Sequence, residues 1–317
     1  MNNLIQLISK LPTDTYRYLR PTFAFLNART AMKAYLQALD LASDDEIIMP
    51  SYVGWSKNEG SGVYDPIVEI GISCCFYKIN RNLTIDLDSL KATFKSEHAR
   101  VLLLIHYFGF PDPHLKEIAQ LAHTRGLVII EDEAHALYSD YWGGISGRFG
   151  DAALLSLHKM LPLPYGGLLV LNQPSDEIVA RISQSTLRKQ LPSILWDFDL
   201  AAIAMKRREN AQWLMEKLRP LEPEISMLFP FLPEGVSPQT LPILINRGVR
   251  DNLYLQMNDQ GYGVVSLYHT LIEQIASQDF PDSYWLSKHI LNLPVHQDVS
   301  RALLTSMVES LQKLLGL

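Results

Sequence analysis

The sequence predicts an α/β fold: a three-layer α/β/α large domain built on a mostly parallel sheet, followed by a smaller α+β C-terminal domain. Two observations predict it. Short apolar runs, among them Val101–Ile105, Leu127–Ile130 and Ala152–Ser156, alternate with helical stretches. This is the pattern of parallel strands buried on both faces and joined by right-handed crossovers. A series of prolines, Pro220, Pro223, Pro230, Pro233 and Pro238, then marks the entry to a second lobe.

Taken in order, residues 1–20 read as an N-terminal helix and lead-in, 21–205 as the large domain and 206–317 as the small one. Phe23–Leu26 is a short strand. Asn27 opens a helix to Leu39, with Met32, Tyr35, Leu36 and Leu39 at helical spacing. Glu46–Met49 is a strand stopped by Pro50. Asn58–Asp65, polar and glycine-rich, fits either a loop or a broken helix. Ile72–Ile79 is a strand, and Asp86 caps the helix that runs to Phe94. Pro113–Thr124 places Leu115, Ile118, Ala119 and Ala122 on one helical face. Asp176–Leu218 is helical apart from a break at Leu191–Pro192. Leu241–Ile245 and Val264–Leu267 are strands around the helix Val249–Asn258, and an amphipathic helix, Arg301–Leu315, closes the chain.

Composition narrows the function classes. Hydrophobic residues make up 47% of the 317, which fits a globular protein rather than a disordered one. The net charge of −6 argues against general nucleic-acid binding, so any phosphate must be recognised locally. Cys74 and Cys75, the two cysteines, are adjacent in an apolar stretch and read as buried thiols in a reducing compartment. Met1–Leu11 lacks the basic start of a secretory leader, and Val101–Phe110 is too short to span a bilayer. Cytoplasm is the expected compartment, with no membrane partner. There is no Walker loop, no G-x-G-x-x-G turn and no spaced metal-ligand set.

The chemistry concentrates between Leu127 and Gly167. Asp132 falls at the C-terminal end of one strand, the sheet edge at which open α/β folds bind ligands. Ser156 and Lys159 fall at the end of the next, and Gly166-Gly167 open a third. A carboxylate and an amine at neighbouring strand ends suit pyridoxal 5'-phosphate (PLP). Its aldehyde needs an amine that desolvation leaves partly neutral, which points to Lys159. Its ring nitrogen needs a buried acid to keep it protonated, which points to Asp132. Its phosphate needs hydroxyl and N–H donors, and Ser156 offers one.

Ile130-Glu-Asp-Glu-Ala-His-Ala136, Gly150-Asp-Ala-Ala-Leu-Leu-Ser156, Lys159 and Gly166-Gly167 together resemble the DegT/DnrJ/StrS family of PLP-dependent sugar aminotransferases, within the fold-type-I (aspartate aminotransferase-like) superfamily. The resemblance extends with gaps from about residue 23 to the end. It implies transfer of an amino group, from glutamate by analogy, to a keto sugar expected to be nucleotide-linked, in a homodimer. It also places Arg29 and Thr30 at phosphate-contacting positions, Tyr52 as the ring-stacking aromatic with Trp55 as second choice, and His135 where the family has a glutamine near the phenolic oxygen. Tyr268 and His269 fall where relatives approach the substrate. The chain departs from the family in three places. Two residues rather than four separate Ser156 from Lys159, Asn27-Ala28 replace a serine-glycine pair, and no Gly-Tyr-Asn-Tyr-Arg stretch occurs between Ser183 and Asp199. Two other functions stay open at this stage. One is a sugar dehydratase or other PLP reaction, since dehydrating relatives carry histidine in place of the lysine and His158 adjoins Lys159. The other is a binding protein of the same fold without turnover.

Overall fold

The computed structural model describes residues 20–183 and 195–317. The helix expected within residues 1–20, except for Arg20, and the break expected at Leu191–Pro192 lie outside the described residues. Ten strands are described: β1 (Thr22–Phe25), β2 (Glu46–Pro50), β3 (Ser73–Tyr77), β4 (Ala99–Ile105), β5 (Val128–Asp132), β6 (Ala152–Ser156), β7 (Gly167–Leu171), β8 (Ile225–Met227), β9 (Thr240–Ile245) and β10 (Ile290–Pro294). The helices are α1 (Ala28–Ala38), α2 (Tyr64–Ile70), α3 (Leu87–Thr93), α4 (Leu115–Thr124), α5 (Leu137–Tyr141), α6 (Asp176–Ser183), α7 (Leu200–Leu218), α8 (Arg250–Asp259), α9 (Pro281–His289) and α10 (Arg301–Leu315).

Seven strands form the large sheet in the order β1-β7-β6-β5-β4-β2-β3. From β3 to β6 every pairing is parallel, and β7 runs antiparallel to both β6 and β1. The sheet is therefore mostly parallel, as the alternating pattern predicts. Side chains alternate between its faces with period two. Ile47, Val101, Leu103 and Ile130 pack under α1 with Met32 and Leu36. Ile48, Leu102, Leu104 and Ile129 pack on the other face with Ile118 and Ala122 of α4.

The register positions the site. Ser156 and Phe25 both lie level with Gly167, so the end of β6 and the start of α1 meet across one narrow strand. Gly167 is required there, because a Cβ on it would lie 2.2 Å from the Asn27 carbonyl carbon. α1 starts at Asn27, whose side chain accepts the Thr30 N–H at 2.9 Å while the Thr30 hydroxyl accepts the Asn27 N–H at 3.3 Å. This reciprocal cap satisfies one early donor of the helix. Asp86 caps α3 as expected, accepting the Ser89 N–H at 2.9 Å.

The small lobe is an antiparallel sheet, β10-β9-β8, covered by α7, α8 and α10. The boundary expected at 205/206 falls inside α7. Ala204 packs with the large sheet, and Ala211 and Leu214 with the small one, so the changeover lies within a single helix. The strand expected at Val264–Leu267 shrinks to one bridge, Val265 with Asn292, because left-handed backbone at Gly263 and Tyr268 confines the extended stretch. Among the described residues no helix is long and apolar enough to cross a membrane.

Candidate active site

A cavity of about 400 Å3 opens at the C-terminal edge of the parallel strands. Asp132 at the end of β5, Ser156 at the end of β6 and Lys159 on the turn after it all line the cavity, together with Asn27, Ala28 and Arg29 at the start of α1. The first intrahelical bond of α1 runs from Ala31 N to Asn27 O. The N–H groups of Ala28 and Arg29 precede it and belong to residues that line the cavity, and the start of a helix favours an anion.

The electrostatics match an amine and an acid held in one recess. Lys159 is exposed to the cavity but surrounded by protein. Desolvation lowers its pKa and Arg29 lowers it further, while the charges of Asp132 and Glu59 oppose the shift. Asp132 is buried, and desolvation raises its pKa against the pull of Lys159, the Ala134 N–H and His106. That N–H donates to the Asp132 carboxylate at 2.8 Å and fixes the orientation of the acid. The result is an amine drawn toward its neutral form and an oriented carboxylate in one cavity, the first of which is what condensation with a carbonyl needs.

The DegT/DnrJ/EryC1/StrS aminotransferase family model matches residues 15–190, more than half of the chain. The chain belongs to this family. It is thus an enzyme of the aminotransferase class, and its solved neighbours share the fold. It is 24% identical to the dTDP-4-dehydro-2,3,6-trideoxy-D-glucose 4-aminotransferase of Saccharopolyspora spinosa, over 91% of this chain and 83% of that one. It superposes on the aminotransferase PseC of Helicobacter pylori, which is involved in pseudaminic acid biosynthesis, with a TM-score of 0.78 at 18% identity, covering 96% of this chain and 89% of that one. It superposes on DesV of S. venezuelae, solved with a ketimine intermediate, with a TM-score of 0.77 at 17% identity, covering 92% and 84%.

Not every residue expected at this aminotransferase site borders the cavity. Asp132, Ser156, Lys159, Arg29 and Tyr268 do; Tyr52, His135, Thr30 and His269 do not. Tyr52 is fully buried beneath the site, its hydroxyl directed to Leu267 O at 3.4 Å. His135 is buried against Phe108, ring planes 7° apart, and its Nδ1 accepts the Phe108 N–H at 3.4 Å. Burial, with Lys159 nearby, holds its pKa well below the ordinary value, so it is a neutral packing and hydrogen-bonding group. Thr30 is exposed and spends its hydroxyl on the α1 cap. His269 is exposed and turned to its own backbone, Nδ1 to Ser266 O at 2.9 Å.

Glu59, which the sequence did not single out, and His158, which it raised only as a neighbour of Lys159, are also at the site. Glu59 lines the cavity from the 56–63 loop, which Arg29 ties down through the Glu59 main-chain oxygen. His158 also lines it, with Nδ1 3.5 Å from the Ser156 hydroxyl. The polar character of Asn58–Asp65 was the only available signal for the loop; nothing local places Glu59 beside a lysine a hundred residues away.

Behind Asp132 lies a buried trio, His106, Glu131 and Glu133, close enough together to suggest a metal site. The Glu131 carboxylate is already filled. One oxygen accepts Phe149 N and Gly150 N, at 2.8 and 2.7 Å, and the other accepts Gly147 N and is paired with His106 Nε2, both at 2.8 Å. With four partners on two oxygens, Glu131 is a brace for the 147–150 loop that supports β5 and β6.

Proposed function

We propose that this chain is a PLP-dependent aminotransferase that takes the amino group of an amino acid, glutamate by family analogy, and delivers it to a keto sugar that is nucleotide-linked. The observation that carries the reading is one cavity holding Lys159, Asp132, Ser156 and the open start of α1.

The donor set fits the cofactor. The Ala28 and Arg29 N–H groups and the Ser156 hydroxyl would hold its phosphate, Asp132 its ring nitrogen and Lys159 its aldehyde carbon. When bound, PLP supplies an electron sink for the pair left at the substrate carbon. The chain does the rest. Buried and oriented by Ala134, Asp132 keeps a proton on the ring nitrogen. Lys159, drawn toward neutrality, would hold the aldehyde carbon and, once freed by the substrate amine, would carry a proton to and from the reacting carbon. The buried Tyr52, Tyr107 and Phe108 keep water away beneath the site.

The same reading includes a homodimer in the cytoplasm. Leu26 and Tyr165 are both about half exposed, and the bond from Gly166 N to Leu26 O brings their backbones together beside the cavity, which offers apolar surface to a partner. A PLP dehydratase is the second reading, favoured by His158 in the cavity next to Ser156.

The test is the visible absorption of the chain loaded with PLP, for wild type and Lys159→Ala, before and after glutamate. Loss of the band on adding glutamate, with release of 2-oxoglutarate, in wild type alone supports transamination. Binding of PLP without keto-acid release favours the dehydratase, and no PLP binding sinks both. Sedimentation at micromolar concentration reads the dimer.

A further inference from the structure

We propose that Tyr268 supplies the aromatic face on which the pyridine ring of the cofactor rests, and that Gly54 makes room for it. The inference rests on the cofactor reading above and assigns the stacking role to a residue from the second half of the chain, in place of the Tyr52 that the strand-end position suggests.

The geometry at residue 54 is decisive. A Cβ there would lie 2.1 Å from Tyr268 Cδ1, 3.0 Å from Cε1 and 3.1 Å from Cγ, so the tyrosine ring stands in the space any side chain at 54 would need. Both residues line the same cavity as Lys159, Asp132 and Ser156. Tyr52, two residues earlier, is sealed beneath that cavity and cannot offer a face to a ligand without unpacking.

Tyr268 is held there by the backbone. Trp55 N donates to Thr270 O at 3.0 Å, and Ile272 N donates to Val53 O at 3.1 Å, on either side of the bridge between Gly54 and Leu271. These bonds lace the 267–272 segment to the stretch that follows β2. Tyr268 itself has φ of +59°, left-handed backbone that a bulky side chain seldom adopts. Such strain persists where surrounding structure imposes it, and it concentrates at ligand sites.

The ring lacks a parallel partner among its described aromatic neighbours. Tyr52 and Tyr107 meet it at 67° and 88°, with centroids 5.2 and 5.8 Å away, while Phe108 and His135 are tilted at 45°. These edge and tilted contacts fix the plane of the ring. A flat heteroaromatic in the cavity would complete the set by offset stacking, the arrangement aromatic pairs favour.

The probe is PLP itself, titrated into the full chain carrying Lys159→Ala so that only non-covalent affinity is read, by equilibrium dialysis and by induced circular dichroism of the bound cofactor. Tyr268→Leu on that background should raise Kd about three- to tenfold and weaken the induced signal, with Tyr268→Phe within about twofold of the parent. Gly54→Ala, whose methyl must push the ring aside, should reproduce the loss and keeps the test open if Tyr268→Leu does not fold. Thermal melts of the unliganded chains report folding. Parental affinity and signal in either Tyr268→Leu or Gly54→Ala overturns the stacking while leaving the cofactor reading intact. Failure of the wild-type chain to take up PLP at all overturns both.

Discussion

Arg207 of α7 reaches the main-chain oxygen of Met160, the residue after Lys159, at 3.5 Å, and the same oxygen accepts the Tyr138 hydroxyl at 2.8 Å. The guanidinium is buried, lies 5.2 Å from the centre of the Tyr138 ring, and also donates to Gln239 O at 3.1 Å and Gln297 Oε1 at 3.0 Å. The helix shared by the two lobes thus clamps the turn that carries the lysine. Arg207→Met keeps the length of the side chain and removes the donors. It should cost about 1–3 kcal/mol of stability, since buried acceptors lose their partner. It should also lower kcat more than it changes KM, because Lys159 is mispositioned while the cavity walls stand. Thermal melts and steady-state kinetics check the two halves separately.

Asp132→Asn keeps the Ala134 contact and deletes the charge. Transamination should fall about 10²- to 10³-fold, the usual cost of removing a preorganised electrostatic partner. PLP should still bind through Lys159 and the phosphate donors. If the variant keeps full turnover, Asp132 has no role at the ring nitrogen.

The legible part of this molecule is the part set by local chemistry. Alternating apolar runs gave the strands of the large sheet, Asn27 and Asp86 announced their caps, and the strand-end positions of Asp132, Ser156 and Lys159 placed all three on one cavity. What escaped depends on distant segments. Gly54 carries no visible signal until Tyr268 is seen occupying its side-chain space, and Tyr52 looks like a ligand contact until Tyr107 and Leu267 are found to enclose it. Glu133, at the centre of the Ile130–Ala136 motif, gave no hint of being sealed among other acids.

Glu133 provides a pH test. Burial, then the charges of Asp140 and Glu131, raise its pKa well above the ordinary glutamate value. A raised folded value means the native chain holds a proton that the unfolded chain releases. Its contribution to stability is complete below the ordinary glutamate pKa and is lost as pH climbs through the raised value. Glu133→Gln mimics the protonated form at every pH. It should raise Tm at pH 8 relative to wild type, change it little at pH 5, and flatten the profile between them. An unchanged slope would mean another group sets the alkaline limb.

Glu59 and Arg29 bear on Lys159 with opposite sign, and this makes a paired prediction. Glu59 favours the charged amine and Arg29 disfavours it. Glu59→Gln should therefore let Lys159 lose its proton at lower pH, and Arg29→Ala should hold it to higher pH. The rate at which the unliganded chain captures PLP, followed by absorbance across pH 6 to 10, reads the neutral fraction directly. The midpoint should move acid-ward in the first variant and alkaline in the second. Because Arg29 also secures the Glu59 main-chain oxygen, its loss frees the 56–63 loop. The double variant should then restore the midpoint without restoring affinity, since charge effects cancel while the untied loop remains. A double variant that regains both would show that Arg29 acts by charge alone and that its grip on the loop is incidental.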